Sequence, residues 1–521
     1  AAVGSQEDVM KNPLAASCRT ENRTGKIIMP GFFDLHVHLP QLSMTGSAGY
    51  TLLTWLNTYV YKTEAEFADP EVAAYRSCQF FDALLSAGTT TAAIYGTIHK
   101  EAIAAAHKAA TERNMRVIMG KVGMDRCRYS SFYPGNTSIP LCDTAESFYN
   151  DSSDLIEMFK KQESDPAIRS RVLYAVTPRY APSSTEEQLS KAGELLKRYP
   201  DVYFQTHLAE NYDEIALVRA MYGNLSKPGK EDRMKGSYLG VYDNFGLVTP
   251  KSIFGHVLHL SQDDWALMAE RNAVAAHCPS SNLFLGSGLF NFRAANESNT
   301  RFAYGSDVGA GTALSTFITM NEGYKVSIMG SGWQTSAMPG GDFINGQVKL
   351  AAGPFNVLCP PKDNSNESIG LWDTSEPRGP YIPGKDASFY AKLENQKGCC
   401  ACKSVDHSRV GEWFMGAPEE GVAPNNITLN PAMNFYMATL GGARALQLED
   451  KVGSFFAGSE ADFVVIDLQG TPYLKYRTDF ATGKTAWSLF LDIMAGAMIL
   501  GNSAIINETY TMGQLRRGWV W

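Results

Sequence analysis

Between residue 30 and about residue 320, short apolar or β-branched runs alternate with longer stretches whose apolar positions recur at helical spacing. The runs are "GFFDLHVH", "TTTAAIYGT", "MRVIMGKVGMD", "RVLYAVTPRY", "DVYFQTHLAE", "KSIFGHVLHLS", "NAVAAHCPSSN" and "RFAYGSDVGAG", eight in all. Between them lie amphipathic segments such as "EVAAYRSCQFFDALLSAG" and "TEEQLSKAGELLKRYP", closed by Gly or Pro as helix stops require. Eight strand-then-helix units predict an α/β fold of the (β/α)8 TIM-barrel type.

The alternation stops near Gly330. From there to Asn425 the chain is rich in Gly, Pro, Asn, Ser and Cys and has little periodicity, an unusual length for a structureless loop. This segment is expected to be an inserted lid or interaction subdomain. Helical text resumes at "NPAMNFYMATLGGARAL", read as a last barrel helix over 426–447. "GSFFAGSEADFVVID" follows, read as a strand pair around a Gly-rich turn, and the tail "ETYTMGQLRRGWVW" alternates like an edge hairpin. The expected division is a short segment 1–30, a barrel 31–329, the insertion 330–425, the helix 426–447 and a small strand-built part 448–521.

Composition narrows the partners. A chain of 521 residues with 44% hydrophobic content can bury a large core. Its formal net charge of -8 and lack of a basic stripe argue against binding nucleic acid. No apolar run reaches the roughly eighteen residues of a membrane span. The nearest, "SLFLDIMAGAMIL", is short and carries Asp492. Cys127 and Cys142 flank a polar loop, and Cys399, Cys400 and Cys402 crowd another, as in exported disulfide-bonded proteins. N-x-S/T sequons stand at Asn22, Asn136, Asn150, Asn224, Asn296, Asn366, Asn426 and Asn507. With a start at Ala1 rather than Met, these features lean toward a secreted protein, with a cytoplasmic one as the alternative.

In a barrel of this type the chemistry gathers where strands end. In "MPGFFDLHVHLPQ", His36 and His38 would point the same way, about 7 Å apart along the strand. The fifth run ends with His207 and Glu210, the sixth offers His256, and the eighth offers Asp307 in "GSDVGAG". Each alone has an ordinary explanation, such as a core histidine or, for Asp307, a helix cap. Their joint placement at the ends of different strands points to a metal site. Imidazoles with a carboxylate suit zinc or ferrous iron, with positions open for water and substrate.

These motifs carry a resemblance. "PGFFDLHVH" with "THLAEN", "GHVLHLS", "AHCPSSN" and "GSDVGAG" resembles the amidohydrolase superfamily. Within it, "LLTWLNTYVYKTE", "GKVGMD", "VTPRYAPS", Gln41 three residues past His38, and "MATLGGARAL" resemble the guanine deaminases. The likeness covers residues 27 to about 328 and 426 to 467. It implies that His36, His38, His207 and Asp307 bind one divalent ion, usually zinc, with Fe2+ possible. It further implies that Glu210 shuttles protons, that His256 holds the attacking water or the tetrahedral intermediate, and that Gln41, Arg179 and Tyr180 grip a purine. The family residue at Tyr180 is commonly Phe; tyrosine keeps the stacking face and adds a hydroxyl. A homodimer and a small β-sandwich domain are likewise implied, the sandwich being built here from 1–30 and 448–521.

Other features fit less directly. A two-metal site would need a lysine at the end of the fourth strand, and "VLYAVTPRY" has none. Lys121 is read as structural, His277 as structural or as a support behind the site residues, and His99, His107, His259 and His407 as ordinary histidines. Little chain precedes the barrel to complete a sandwich, and the insertion has no counterpart in the family pattern. The implied activity is metal-dependent deamination of guanine to xanthine and ammonia. A related deaminase of a pterin or triazine is one alternative, against which the purine-gripping residues speak. A secreted, non-catalytic binding or structural protein on the same barrel is the other, and the intact ligand set counts against it.

Overall fold

All eight runs form strands. In a computed structural model describing residues 6–13, 15, 18, 20–47, 51–126, 141–223, 225, 236–333, 429–481 and 486–516, a short β1 (Ile27–Pro30) comes first. The barrel strands follow: β2 (Phe32–His38), β3 (Thr89–Tyr95), β4 (Arg116–Gly120), β6 (Val172–Pro178), β7 (Tyr203–Leu208), β8 (Ser252–His256), β9 (Val274–His277) and β10 (Arg301–Tyr304). A two-residue β5 (Val122–Gly123) pairs with β6. The barrel strands are parallel, in the order β10-β9-β8-β7-β6-β4-β3-β2. Backbone bonds close the ring: Asp307 N–H donates to His36 C=O at 2.8 Å and His38 N–H to Val308 C=O at 2.9 Å. The seam therefore lies at the candidate site.

The connecting helices start where the sequence supplies caps. Asp69 accepts from Glu71 N–H at 2.8 Å ahead of Pro70–Ser86, and Thr185 accepts from Gln188 N–H at 3.1 Å ahead of Glu186–Arg198. Phe80, Phe81, Leu84 and Leu85 on the first of these are buried in the layer between helices and barrel. That layer is the main core.

Three expectations need correction. The single helix over 426–447 is two, Pro431–Met437 and Leu440–Ala445, with 426–428 outside the described residues. At the break, Ala438 C=O accepts from Phe33 N–H of β2 at 2.9 Å, and a Cβ on Gly442 would lie 2.6 Å from Phe33 Cβ. The strand there takes a carbonyl the helix would otherwise use. Second, "GSFFAGSEADFVVID" supplies one strand, β11 (Phe463–Ile466), not a pair. Its neighbours are distant in sequence: β1 on one side, with Ile27 opposite Ile466, and β12 (Ile506–Thr511) on the other. Third, 448–521 is not all strand, since helices Pro472–Asp479 and Ala486–Leu500 separate β11 from β12.

The tail hairpin is present as β12 and β13 (Gln514–Arg516), completing a four-stranded antiparallel sheet ordered β1-β11-β12-β13. Its turn residues Met512 and Gly513 both have positive φ, 50° and 73°, as a tight hairpin turn requires. Arg171, just before β6, donates to Asp462 Oδ2 at 2.5 Å and lies 2.7 Å from Glu460 Oε2. The segment leading into β11 is thus tied to the barrel at strand starts, opposite the candidate site. Asp492 in the apolar helix Ala486–Leu500 is buried and takes both Nη atoms of Arg477, at 2.9 and 2.5 Å. Among the described residues no helix is long and apolar enough to cross a membrane.

Of the expected insertion 330–425, residues 330–333 end the helix Thr316–Trp333, and 334–425 lie outside the described residues, as do His407, Cys127, Cys399, Cys400, Cys402 and the sequons at Asn136, Asn224, Asn366 and Asn426. Cys142 is disulfide-bonded.

Candidate metal centre and substrate pocket

β2 delivers the first two imidazoles. Its pairing with β3 shifts register between Asp34 and Val37, the kind of bulge that re-aims side chains beside functional sites. His36 and His38 share a side, ring centroids 5.1 Å apart. Two glycines make room for the fully buried His36: a Cβ on Gly255 would lie 2.5 Å from His36 Cε1, and one on Gly305 2.7 Å from His36 Cβ. Tyr95, the last residue of β3, packs on the rings of His36, His38 and His207 at 4.7, 4.7 and 4.8 Å.

The other groups arrive from across the barrel. His207 lies near the end of β7, His256 ends β8, and Asp307 stands just past β10. His256 and Asp307 hold φ at 69° and 49°, a region costing non-glycine residues about 1–3 kcal/mol and concentrated at functional sites. Asp307 Oδ1 is 3.3 Å from His36 Nε2 and 3.2 Å from His38 Nε2. His38 Nε2 is also 3.2 Å from His207 Nε2. His207 Nδ1 lies 2.7 Å from the Arg179 carbonyl oxygen. That oxygen only accepts, so the proton is assigned to Nδ1 and Nε2 turns a lone pair inward.

These residues fit a divalent cation. The buried Nε2 of His36 has no hydrogen-bond partner, and nitrogens and a carboxylate oxygen converge on one point without hydrogens to share between them. Ligand atoms of His36, His207, His256 and Asp307 lie within 4.8 Å of one another, so His256 is a fifth member of the cluster. It differs from the others in its contacts: Nδ1 is 2.8 Å from Asn282 Oδ1, and Nε2 faces Glu210 Oε2 at 3.4 Å and Asp307 Oδ2 at 3.7 Å. This geometry sets His256 between the cluster and the acid.

Electrostatics follow from burial and neighbours. Burial lowers His36 to about 4 against the pull of Asp307, so its nitrogens are free of extra protons at neutral pH. Burial works to raise Asp307, but the facing imidazoles of His36, His38 and His256 hold it well below the usual carboxylate range. Burial pushes Glu210 up to about 7, with His256 opposing. Glu210 Oε1 accepts from Ser287 Oγ at 3.1 Å, and its backbone N–H donates to Glu214 Oε2 at 2.9 Å. Glu214 Oε1 accepts in turn from Tyr238 OH at 2.7 Å.

Beside the cluster is a pocket of about 390 Å3, its open mouth included, lined by Gln41, Arg179, Tyr180, His207, Glu210, His256 and Asp307 with apolar walls from Leu52, Trp55, Leu56 and Leu285. Gln41 sits in the turn Leu39–Met44 directly after β2, and Arg179 and Tyr180 directly after β6. Every site residue read from the sequence is therefore at this one end of the barrel. Of the other described histidines, His107 Nε2 lies 3.2 Å from Ser170 Oγ, His259 Nε2 lies 2.8 Å from Ser287 C=O, His277 is enclosed by Phe290, Phe292 and Tyr304 with neither ring nitrogen hydrogen-bonded, and His99 stands half-buried ahead of the helix Lys100–Glu112. Lys121 is buried against Asp143 and Asp151.

The profile of the amidohydrolase family matches residues 27–339 and 422–501. The chain belongs to the amidohydrolase family. Guanine deaminase of Escherichia coli K12 is 33% identical over 505 residues, 97% of this chain and 86% of that protein. The solved structure of E. coli guanine deaminase aligns with TM-score 0.70 at 33% identity over 98% of this chain and 89% of that one. Guanine deaminase from Bradyrhizobium japonicum aligns with TM-score 0.71 at 29% identity over 99% and 89%. A guanine deaminase from C. acetobutylicum, solved with bound guanine in its active site, shares the fold with TM-score 0.66 at 22% identity over 97% and 90%.

Several residues of this amidohydrolase's site were not foreseen. Glu64 bonds both Gln41 and Arg179, Asn282 meets His256, Ser287 meets Glu210, and Tyr95 supports three imidazoles. Only Glu214 had a local signal. It stands three residues after Asn211 as the partner of a capping box.

Proposed function

We propose that this amidohydrolase is a guanine deaminase, converting guanine and water to xanthine and ammonia. The observation that carries the reading is one pocket in which Gln41 and Arg179 face Glu210 and the imidazole–carboxylate cluster. His36, His38, His207 and Asp307 would hold a single ion, Zn2+ by ligand preference and Fe2+ as the alternative. When bound, such an ion supplies Lewis acidity and brings the pKa of a water from 15.7 to roughly 7.

The chain's own groups do the rest. Glu210 takes the water's proton at Oε2, the oxygen not held by Ser287, and His256 Nε2, 3.4 Å from it, orients that water. The water oxygen bonds to carbon 2 of the purine, and Glu210 delivers the first water proton to the adjoining ring nitrogen, where it stays. Asp307, anionic beside the imidazoles, takes the second proton of the water, which passes to the amino nitrogen as its bond to carbon 2 breaks, so that ammonia leaves and xanthine remains. Arg179 donates to the 6-carbonyl and Gln41 both donates and accepts, so adenine would leave buried donors unpaired. Tyr180 offers its face to the base.

The test is ammonia release from guanine by metal-analysed protein beside Glu210→Gln. Expected are about one zinc per chain in both and turnover lower in the variant by about 10²–10⁴-fold. Metal-loaded wild type releasing no ammonia refutes the proposal. A homodimer, supported by the resemblance, and a secretory route, supported by the disulfide at Cys142, complete it; light scattering and a mass shift on deglycosylation test these two parts.

A further inference from the structure

Glu64, in the short helix Tyr61–Ala65, is 1% exposed, and the reaction as described leaves it without a role. Its two oxygens are divided between the purine-gripping residues. Oε1 accepts from Gln41 Nε2 at 2.8 Å, and Oε2 accepts from Arg179 Nη1 at 2.7 Å. Both oxygens thus act as acceptors of N–H donors. Two consequences follow. The Gln41 amide must turn its NH2 toward Glu64, which leaves Gln41 Oε1 on the other side, 3.4 Å from Gly309 N. Arg179 has Nη1 engaged and its guanidinium over the Tyr61 ring at 5.4 Å, so the face it can offer a ligand is fixed.

Resting on the guanine deaminase reading, we propose that Glu64 is a positioning residue that sets the selectivity of the pocket for a 6-oxo over a 6-amino purine. Without an acceptor-only partner the Gln41 amide can rotate and offer its carbonyl where its NH2 stood, and Arg179 loses the contact that aims it. The donor pattern that matches a carbonyl is then one arrangement among several. An acid that merely neutralised a buried arginine would affect all ligands of the pocket alike.

The experiment compares kcat and KM for guanine and 2,6-diaminopurine, which share the 2-amino group and differ at carbon 6, in wild-type, Glu64→Gln and Glu64→Asp holoenzymes. Glu64→Gln is expected to raise KM for guanine and to lower the guanine-to-diaminopurine ratio of kcat/KM about tenfold or more, the scale of one charge-assisted hydrogen bond. Glu64→Asp keeps an acceptor-only group and is expected to fall between. An unchanged ratio in Glu64→Gln, with both substrates lowered together, overturns the assignment. If Glu64→Gln does not fold, Glu64→Asp decides: a ratio lowered about threefold supports the role, given the lengthened bond, and an unchanged ratio overturns it. Wild-type holoenzyme inert toward guanine would instead defeat the functional reading on which this one rests.

Discussion

Replacing Gly255 by alanine should damage the metal centre through one methyl group. The added Cβ would stand 2.5 Å from His36 Cε1 and 2.7 Å from His36 Nδ1. To regain ordinary contact the ring must retreat by about 0.9 Å. It has no free direction in which to do so. Tyr95 and His207 pack on it at 4.7 Å, His38 and His256 at 5.1 Å, and Gly305 already approaches its Cβ. Overpacking of this kind costs about 1–3 kcal/mol, and a ligand displaced by about 1 Å can cost a hundredfold in rate. Zinc affinity by chelator competition should therefore fall about tenfold or more, with turnover falling alongside. Gly496→Ala is the control: its Cβ meets only Arg477 Cγ at 3.5 Å and Leu474 Cδ1 at 3.7 Å, and it should leave both properties unchanged. Wild-type zinc affinity and turnover in Gly255→Ala would refute the reasoning that these glycines exist to seat His36.

Acid sensitivity should trace in part to His107. Burial lowers its pKa from 6.5 to about 4, so the folded state prefers the neutral ring. The stability from that preference is complete above pH 6.5 and is lost as pH falls through about 4, reaching about 2 kcal/mol lost near pH 5. Thermal midpoints of wild type and His107→Gln at pH 7 and pH 5 should show a smaller pH dependence in the variant, and equal dependence refutes the assignment. Ser287→Ala removes the donor to Glu210 Oε1. It should lower kcat about tenfold with KM and zinc content unchanged, as steady-state kinetics on metal-analysed protein will show; an unaltered kcat would mean that the bond from Ser287 does not position Glu210 for proton transfer.

What could be read from the sequence depended on whether its cause was local. His36, His38, His207, His256 and Asp307 were legible because strand ends are marked by short apolar runs and because imidazole is rare enough for its placement there to stand out. Glu64 lies within "LLTWLNTYVYKTE", where no local pattern gives it a role, since its partners Gln41 and Arg179 lie 23 and 115 residues away. Asn282, inside the short helix Pro279–Phe284, and Ser287, just after the turn that ends it, are small polar residues whose types carry no local sign of their distant partners. The single strand in "GSFFAGSEADFVVID" shows the same limit in the fold: its partners β1 and β12 lie far away in the chain, and an alternating pattern does not say what it pairs with. The broken helix over 426–447 had a visible sign in Gly441 and Gly442, but the Phe33 backbone that takes the Ala438 carbonyl did not.

The most direct measurement is the reaction of zinc-loaded protein with guanine in water enriched in oxygen-18, followed by mass spectrometry. Hydrolytic attack at carbon 2 predicts xanthine carrying one solvent oxygen, formed in step with one ammonia. Recovered unlabelled guanine with no ammonia, or a purine labelled at another position, would contradict the account.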